Sequence, residues 1–169
     1  MKILVCGPEC SGKTSLSEKI AQHYNIEMLP EHAVSYLERH GSDYSVDDIQ
    51  KIAAEHFALY ESLKSRESSF VMDSFLINLL IWAEYRFDAD LVELRTWLEE
   101  VEFDLVFLMK PDLVWENAPF RENASDRDHL FDRYIGELNQ LNWPYHIIEG
   151  KGDERWVSPK TIIDQFLED

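Results

Sequence analysis

Eight residues near the amino terminus limit what this chain can become. Gly7-Pro8-Glu9-Cys10-Ser11-Gly12-Lys13-Thr14 satisfies the spacing G-x-x-x-x-G-K-[ST] at every fixed position. The pattern has meaning only between a strand and a helix, and both flanks agree with that. Lys2 to Cys6 is a short aliphatic and β-branched run of the buried parallel-strand kind, and from Lys13 the apolar Leu16, Ile20 and Ala21 recur at helical spacing as far as Asn25. Glycines let the main chain curl so that successive N–H groups face inward, and the start of the helix adds positive dipole where a phosphate would sit. Gly7, Pro8, Glu9, Cys10, Ser11, Gly12, Lys13, Thr14 and Ser15 are therefore the expected nucleotide-binding residues. In such a loop Lys13 reaches the β- and γ-phosphates, and the Thr14 hydroxyl is a ligand of the Mg²⁺ that bridges them.

The remaining chain keeps alternating. Strands are expected at Ile26 to Leu29, Phe70 to Met72, Leu105 to Met109 and Tyr145 to Ile148. Between them, Glu31 to His40 reads as a helix closed by Gly41, and Ser45-Val46-Asp47-Asp48 as a capping box opening a helix towards Arg66. Phe75 to Tyr85 is apolar nearly all round, as in a buried helix, and Asp88 or Asp90 can cap the helix whose seam is Leu91, Leu94, Leu98 and Val101. Lys110 to Ala124 has no clean period, and Ser125 to Asp128 offers a second capping box for a helix through Leu141. Gly150 to Arg155 reads as a polar loop, with Ser158-Pro159 opening the closing helix as N-cap and first helical residue. Five strands in this order imply an α/β fold with a parallel sheet covered on both faces and ligands beyond the carboxyl ends of the strands. The 169 residues, without a repeat or a low-complexity linker, suit one domain over 1–169.

Charge excludes several partners. With 16 basic and 33 acidic residues the net charge is −17, which repels nucleic acid and anionic membrane surfaces. The longest apolar stretch, Phe75 to Ala83, is far shorter than the ~20 residues that span a bilayer. The opening Met1 to Cys6 lacks the length and the cleavage site of a secretory signal, so a cytoplasmic location is expected. Cys6 and Cys10 have neither a disulfide framework nor zinc spacing, and both are expected as free thiols without chemistry.

Carboxylates and arginines complete the candidate site. Asp73, at the end of the third strand, is either the acid near the metal or a helix cap, with Ser74 competing for the cap. Glu31 follows the second strand on the same side and either accepts a proton or hydrogen bond from a substrate hydroxyl or is a first-turn helix acid. Arg121, Arg127 and Arg133 surround the irregular segment, where a flap can deliver guanidinium groups to a transferring phosphoryl; Arg121 and Arg127 are the preferred pair. Glu122, Asp126, Asp128 and Asp132 lie among them, so helix-surface ion pairing is the alternative. Trp82, Tyr85 and Trp115 are either core residues or stacking surfaces for a base.

Taken together, GPECSGKTSL at Gly7 to Leu16, LPEHAVSYLE at Leu29 to Glu38, FVMDS at Phe70 to Ser74, Trp115, PFRENASDRDHLFDRY at Pro119 to Tyr134 and the Gly150 to Arg155 loop resemble the small P-loop kinases similar to the nicotinamide-riboside kinase domain of NadR-type proteins. The resemblance runs nearly end to end. It implies a P-loop NTPase three-layer sandwich, nucleoside-monophosphate-kinase-like, with a lid at about residues 111–134. It also implies ATP-dependent phosphorylation of a ribosyl hydroxyl on nicotinamide riboside or a similar nucleoside, with ATP and Mg²⁺ as cofactors. Lys13, Asp73, Arg121 and Arg127 would be catalytic, Thr14 and Asp73 would hold the metal, Glu31 and Asp73 would face the acceptor, and adenine would lie near Arg155. Two positions depart from the family pattern: Val34 stands where relatives often have arginine, and Phe75 where an Asp-Thr-Asp would end. Both departures are expected at the acceptor pocket. No adenylyltransferase activity is expected, because 169 residues leave no room for that domain. A nucleotide-binding switch that hydrolyses ATP slowly, and a nucleoside or nucleoside-monophosphate kinase of other base preference, are the competing readings.

Overall fold

The computed structural model describes residues 1–41, 43–118, 121 and 123–168. Five strands form one all-parallel sheet: β1 (Lys2–Cys6), β2 (Glu27–Leu29), β3 (Phe70–Asp73), β4 (Leu105–Met109) and β5 (His146–Ile148). Their order is β2-β3-β1-β4-β5. The chain leaves central β1 in one direction to build β2 and β3 and then crosses to its other side for β4 and β5, so a crevice opens beyond the carboxyl end of β1, the usual ligand position in such sheets.

Strand alternation divides the core into two layers. Leu4, Cys6, Phe70 and Met72 point to one face, where they pack under α3 (Val46–Ser65), α4 (Leu76–Phe87), α5 (Val92–Glu100) and α6 (Arg127–Gln140). Ile3, Val5, Val71 and Phe107 point to the other, against Leu16 and Ile20 of α1 (Lys13–Tyr24) and Ile163 of α7 (Glu154–Glu168). α2 (His32–His40) joins the first layer through Ala33, Tyr36 and Leu37. The result is the parallel sheet covered on both faces that the alternating pattern predicts, in the three-layer P-loop kinase-like arrangement that the resemblance implies. Among the described residues, no helix is long and apolar enough to cross a membrane.

The capping box at Ser45 forms: its amide and hydroxyl both donate to the Asp48 carboxylate, at 2.9 and 2.8 Å. Other expected termini shift. Asp88 ends α4 in a left-handed conformation instead of starting α5, which has Leu91 at its N-cap, and Asp90 accepts from Arg95. At α6 the N-cap is Asp126, whose carboxylate takes the Tyr85 hydroxyl instead of capping the helix. α7 begins at Glu154, a turn before Ser158, leaving Pro159 inside the helix. Tertiary contact overrides the proline there, because Arg155 in that first turn is anchored beneath the phosphate loop. Of the residues quoted from sequence, Pro119, Phe120 and Glu122 lie outside the described residues.

Phe75 is a core residue. It is fully buried and packs against His56, Tyr60 and Phe103, so the departure at this position repacks the layer under α3 and does not touch an acceptor pocket. His56 is buried with it, and desolvation, helped by neighbouring His32, pushes its pKa down to about 3. A folded-state pKa below the ordinary value of 6.5 means that the unfolded chain binds the extra proton, so this stability is complete above about pH 6.5 and is lost as pH falls towards 3. His56→Phe should therefore lose less melting temperature than the wild type between pH 7 and pH 5, as read by circular dichroism; an unchanged difference would exclude His56 as a source of acid lability.

Candidate active site

The loop between β1 and α1 is shaped by two glycines. Gly7 has φ of 135°, and a Cβ built there would lie 2.7 Å from the Met109 carbonyl oxygen, so only glycine lets β1 leave the sheet this close to β4. Gly12 is left-handed at φ 83° and turns the chain into α1, whose first residues are Lys13 and Thr14. Lys13 is buried, with its ammonium 3.1 Å from the Pro8 carbonyl, and Ser11 Oγ donates to the same oxygen at 2.7 Å. The ammonium is thus held inside the curl of the loop.

Thr14 Oγ1 donates to Asp73 Oδ2 at 2.5 Å. Asp73 is 1% exposed, and its other oxygen, Oδ1, is buried without a hydrogen-bond partner among the described residues. Burial is the main cause of its raised pKa; Lys13 and the Thr14 bond oppose it. Asp73 thus sits behind Thr14 at the floor of the loop, buried beneath the cavity surface. An orphaned carboxylate oxygen beside a threonine hydroxyl fits a hard divalent cation, and Mg²⁺ typically takes one or two such protein oxygens together with substrate phosphates. Among the described residues no group of three or more His, Cys, Asp or Glu is arranged to hold a metal by itself.

A cavity of about 680 Å³ extends from this loop between α2, α4 and α6. Glu31, half-buried at the N-cap of α2, lies on its wall, and burial raises its pKa, with Lys13 pulling it back and Asp73 and Glu9 adding to the rise. Val34, 40% exposed, Leu37 and Glu38 continue along the same wall. Asn78, Trp82 and Tyr85 of α4 form the opposite side, and Tyr134 of α6 closes the back. Trp82 is fixed there by its indole N–H, which donates to Tyr44 Oη at 3.0 Å. Glu38, Asn78 and Tyr134 were not among the residues selected from sequence; only the helical spacing of Glu31, Val34 and Glu38 (i, i+3, i+7) hints at a shared face.

The arginines separate into different roles. Arg121 lines the cavity, its guanidinium 3.1 Å from Cys10 Sγ and 2.7 Å from the Glu116 carbonyl. Arg127 donates to the Leu113 and Cys10 carbonyls at 3.0 and 3.4 Å and lies over the Trp115 ring. Arg133 pairs with Glu84 of α4, a partner on another helix and not one of the acids of its own segment. Arg155, 8% exposed, is not on the cavity wall. Its guanidinium donates to the Ser11 carbonyl at 2.5 Å, to the Lys110 carbonyl at 2.8 Å and to Asp112, while Nε donates to the Gly150 carbonyl at 2.8 Å. It supports the loop from below instead of facing a ligand, which corrects its expected place beside a base. Cys6 is buried, which pushes its thiol up to about 12; Cys10 is half-buried on the cavity wall.

Arg155→Ala should leave three carbonyls and Asp112 without their donor and destabilise the chain by on the order of 2–3 kcal/mol in urea melts, as expected for hydrogen bonds to a charged group. A loss below about 0.5 kcal/mol would mean that the loop does not depend on this support.

Comparison with known proteins agrees with the geometry. A family model described as an AAA domain matches residues 2–155. No curated protein sequence matches the chain. A crystal structure of NadR protein in complex with NR superposes with a TM-score of 0.79 at 18% identity over 98% of this chain and 51% of that one. Deoxyadenosine kinase from M. mycoides gives 0.71 at 15% identity over the whole of both chains. Thymidylate kinase from Ehrlichia chaffeensis gives 0.69 at 16% over 98% of each. The chain spans about half the length of the NadR structures.

Proposed function

The chain belongs to the AAA-domain family, and from that premise we propose that it is an ATP-dependent kinase whose acceptor is a hydroxyl of a nucleoside, with nicotinamide riboside the first candidate. One observation carries the reading: a single cavity joins the phosphate loop to a carboxylate, Glu31, that makes no hydrogen bond or ion pair with any described residue. A nucleotide switch needs the loop but has no use for a second compartment lined by such an acid. The match of fold to structures named as deoxyadenosine kinase and thymidylate kinase supports the same class.

Each group has a role in this reaction. Loop amides and Lys13 hold the triphosphate, and their fixed dipoles meet the charge that develops on the transferred group. Thr14 and Asp73 would hold Mg²⁺, which neutralises phosphate charge when bound. Glu31 accepts the proton of the attacking hydroxyl, and the rise in its pKa brings it closer to working pH, which suits a general base. Arg121 and Arg127 bring guanidinium groups to the rim of the loop. Among the described residues lining the cavity the cations are Lys13 and Arg121, both beside the phosphate loop, while the α2 wall carries Glu31 and Glu38. A phosphorylated acceptor would place its charge against carboxylates there, which favours a nucleoside over a nucleoside monophosphate.

An ADP-release screen with Mg-ATP against nicotinamide riboside, the common nucleosides and their monophosphates should give one nucleoside whose phosphorylation tracks ADP. Lys13→Ala should lower kcat/KM for it by about 10²-fold or more. Turnover indifferent to every acceptor would favour the switch, and a monophosphate hit would overturn the acceptor class. Glu31→Gln should abolish most turnover and remove the acidic limb of the kcat–pH profile. In the apo protein the same substitution should raise the melting temperature at neutral pH. A carboxyl with a raised folded pKa loses stability as pH rises through it, so the advantage should shrink as pH falls below that pKa.

A further inference from the structure

Glu9 is a contradiction on its face: a carboxylate in a loop built to bind anions. Its carboxylate oxygens accept from the main-chain N–H of Asn123 at 3.1 Å and from Asn123 Nδ2 at 3.3 Å. Asn123 stands between Arg121 and Arg127, the two arginines whose guanidiniums reach Cys10, the next residue of the loop. The Glu116 amide also donates to Cys10 Sγ, at 3.2 Å. Two successive residues that the phosphate motif leaves variable therefore grip the segment carrying both arginines.

We infer that Glu9 is a positioning residue: its side chain latches the chain at Asn123, so that the neighbouring Arg121 and Arg127 come to rest over the phosphate loop. The role of those arginines rests on the kinase reading above; the latch itself does not. The physics makes closure and phosphate binding mutually reinforcing. With the segment away, the bare carboxylate repels the incoming triphosphate; with Asn123 donating two hydrogen bonds to it, that charge is partly compensated and the inward-facing amides dominate. The loop's main chain binds the anion, while this side chain holds the cover.

Hydrogen exchange on the full chain tests the latch without any acceptor. Glu9→Ala should speed exchange in peptides spanning residues 113–127 by about fivefold or more, with peptides from β1, β3 and β4 unchanged, and Asn123→Ala, which keeps the main-chain donor to Glu9, should speed it less. Adding Asn123→Ala to Glu9→Ala should have little further effect, because Glu9→Ala already removes the acceptor of the Asn123 amide. Glu9→Gln, whose amide oxygen can still accept from the Asn123 N–H, should restore most of the protection. In the kinase assay Glu9→Ala should cut kcat by about tenfold or more while KM for ATP moves much less, a split that misplacement of catalytic groups produces. Unchanged exchange in Glu9→Ala, additive single effects, or faster exchange throughout the sheet would overturn the latch. Failure of every acceptor to support turnover would sink the kinase reading and leave the exchange result to decide the latch by itself.

Discussion

The site depends on how closely the main chain passes Met109 at Gly7. A side chain there would meet a carbonyl oxygen, and without that close passage the loop could not leave the end of β1 on the path it takes beside β4. A curl of this kind has few internal restraints, and the rest of the molecule supplies them. Arg155 holds it from below at the Ser11 carbonyl, Lys13 fills it from inside, and the 113–127 segment touches it from above at Glu9 and Cys10. Preorganisation of this sort is what lets backbone dipoles act on a phosphate without paying for rearrangement at the moment of reaction.

Around that loop the molecule accepts electrostatic cost. Asp73 and Glu31 are both raised by burial, and each is only partly relieved by Lys13, so ionising them in the folded state opposes folding. The opposite wall is built for rigidity. Glu84 of α4 accepts from Arg95 of α5 and from Arg133 of α6, and Arg95 also reaches Glu137, so three helices are tied on the side away from the cavity. Trp82 is tied in turn to Tyr44. The wall that would meet an acceptor is fixed, while the phosphate side is covered by an irregular segment held through a few polar contacts.

Local rules worked where the partners are close in sequence. The phosphate loop, the alternating strands and the Ser45–Asp48 box all depend on groups a few residues apart, and all are present. They failed where a distant partner competed. Ser125 to Asp128 looked like a capping box, but the helix takes Asp126 as N-cap and the Asp126 carboxylate accepts from Tyr85; Ser158-Pro159 looked like a helix start but lies inside a helix anchored by Arg155, and Phe75 looked like part of a pocket but packs into a ring of aromatics. The candidate site divides the same way. Lys13, Thr14 and Glu31 were legible from motif and strand end, whereas Arg155 turned inward and Glu38, Asn78 and Tyr134 emerged on the cavity wall only once α2, α4 and α6 faced one another.

By itself the sequence determined a loop of the P-loop pattern on a parallel sheet, because that feature is written in adjacent residues and in a strand-to-helix rhythm that leaves the main chain little choice. Tertiary structure alone decided which carboxylate is sealed beneath the loop and which faces the cavity, since Asp73 and Glu31 follow similar strands and differ only in what packs over them. It also decided that a glutamate in an anion site is matched by Asn123, 114 residues away. Burial and pairing across such separations depend on the closing of the whole fold, and no local spacing encodes them.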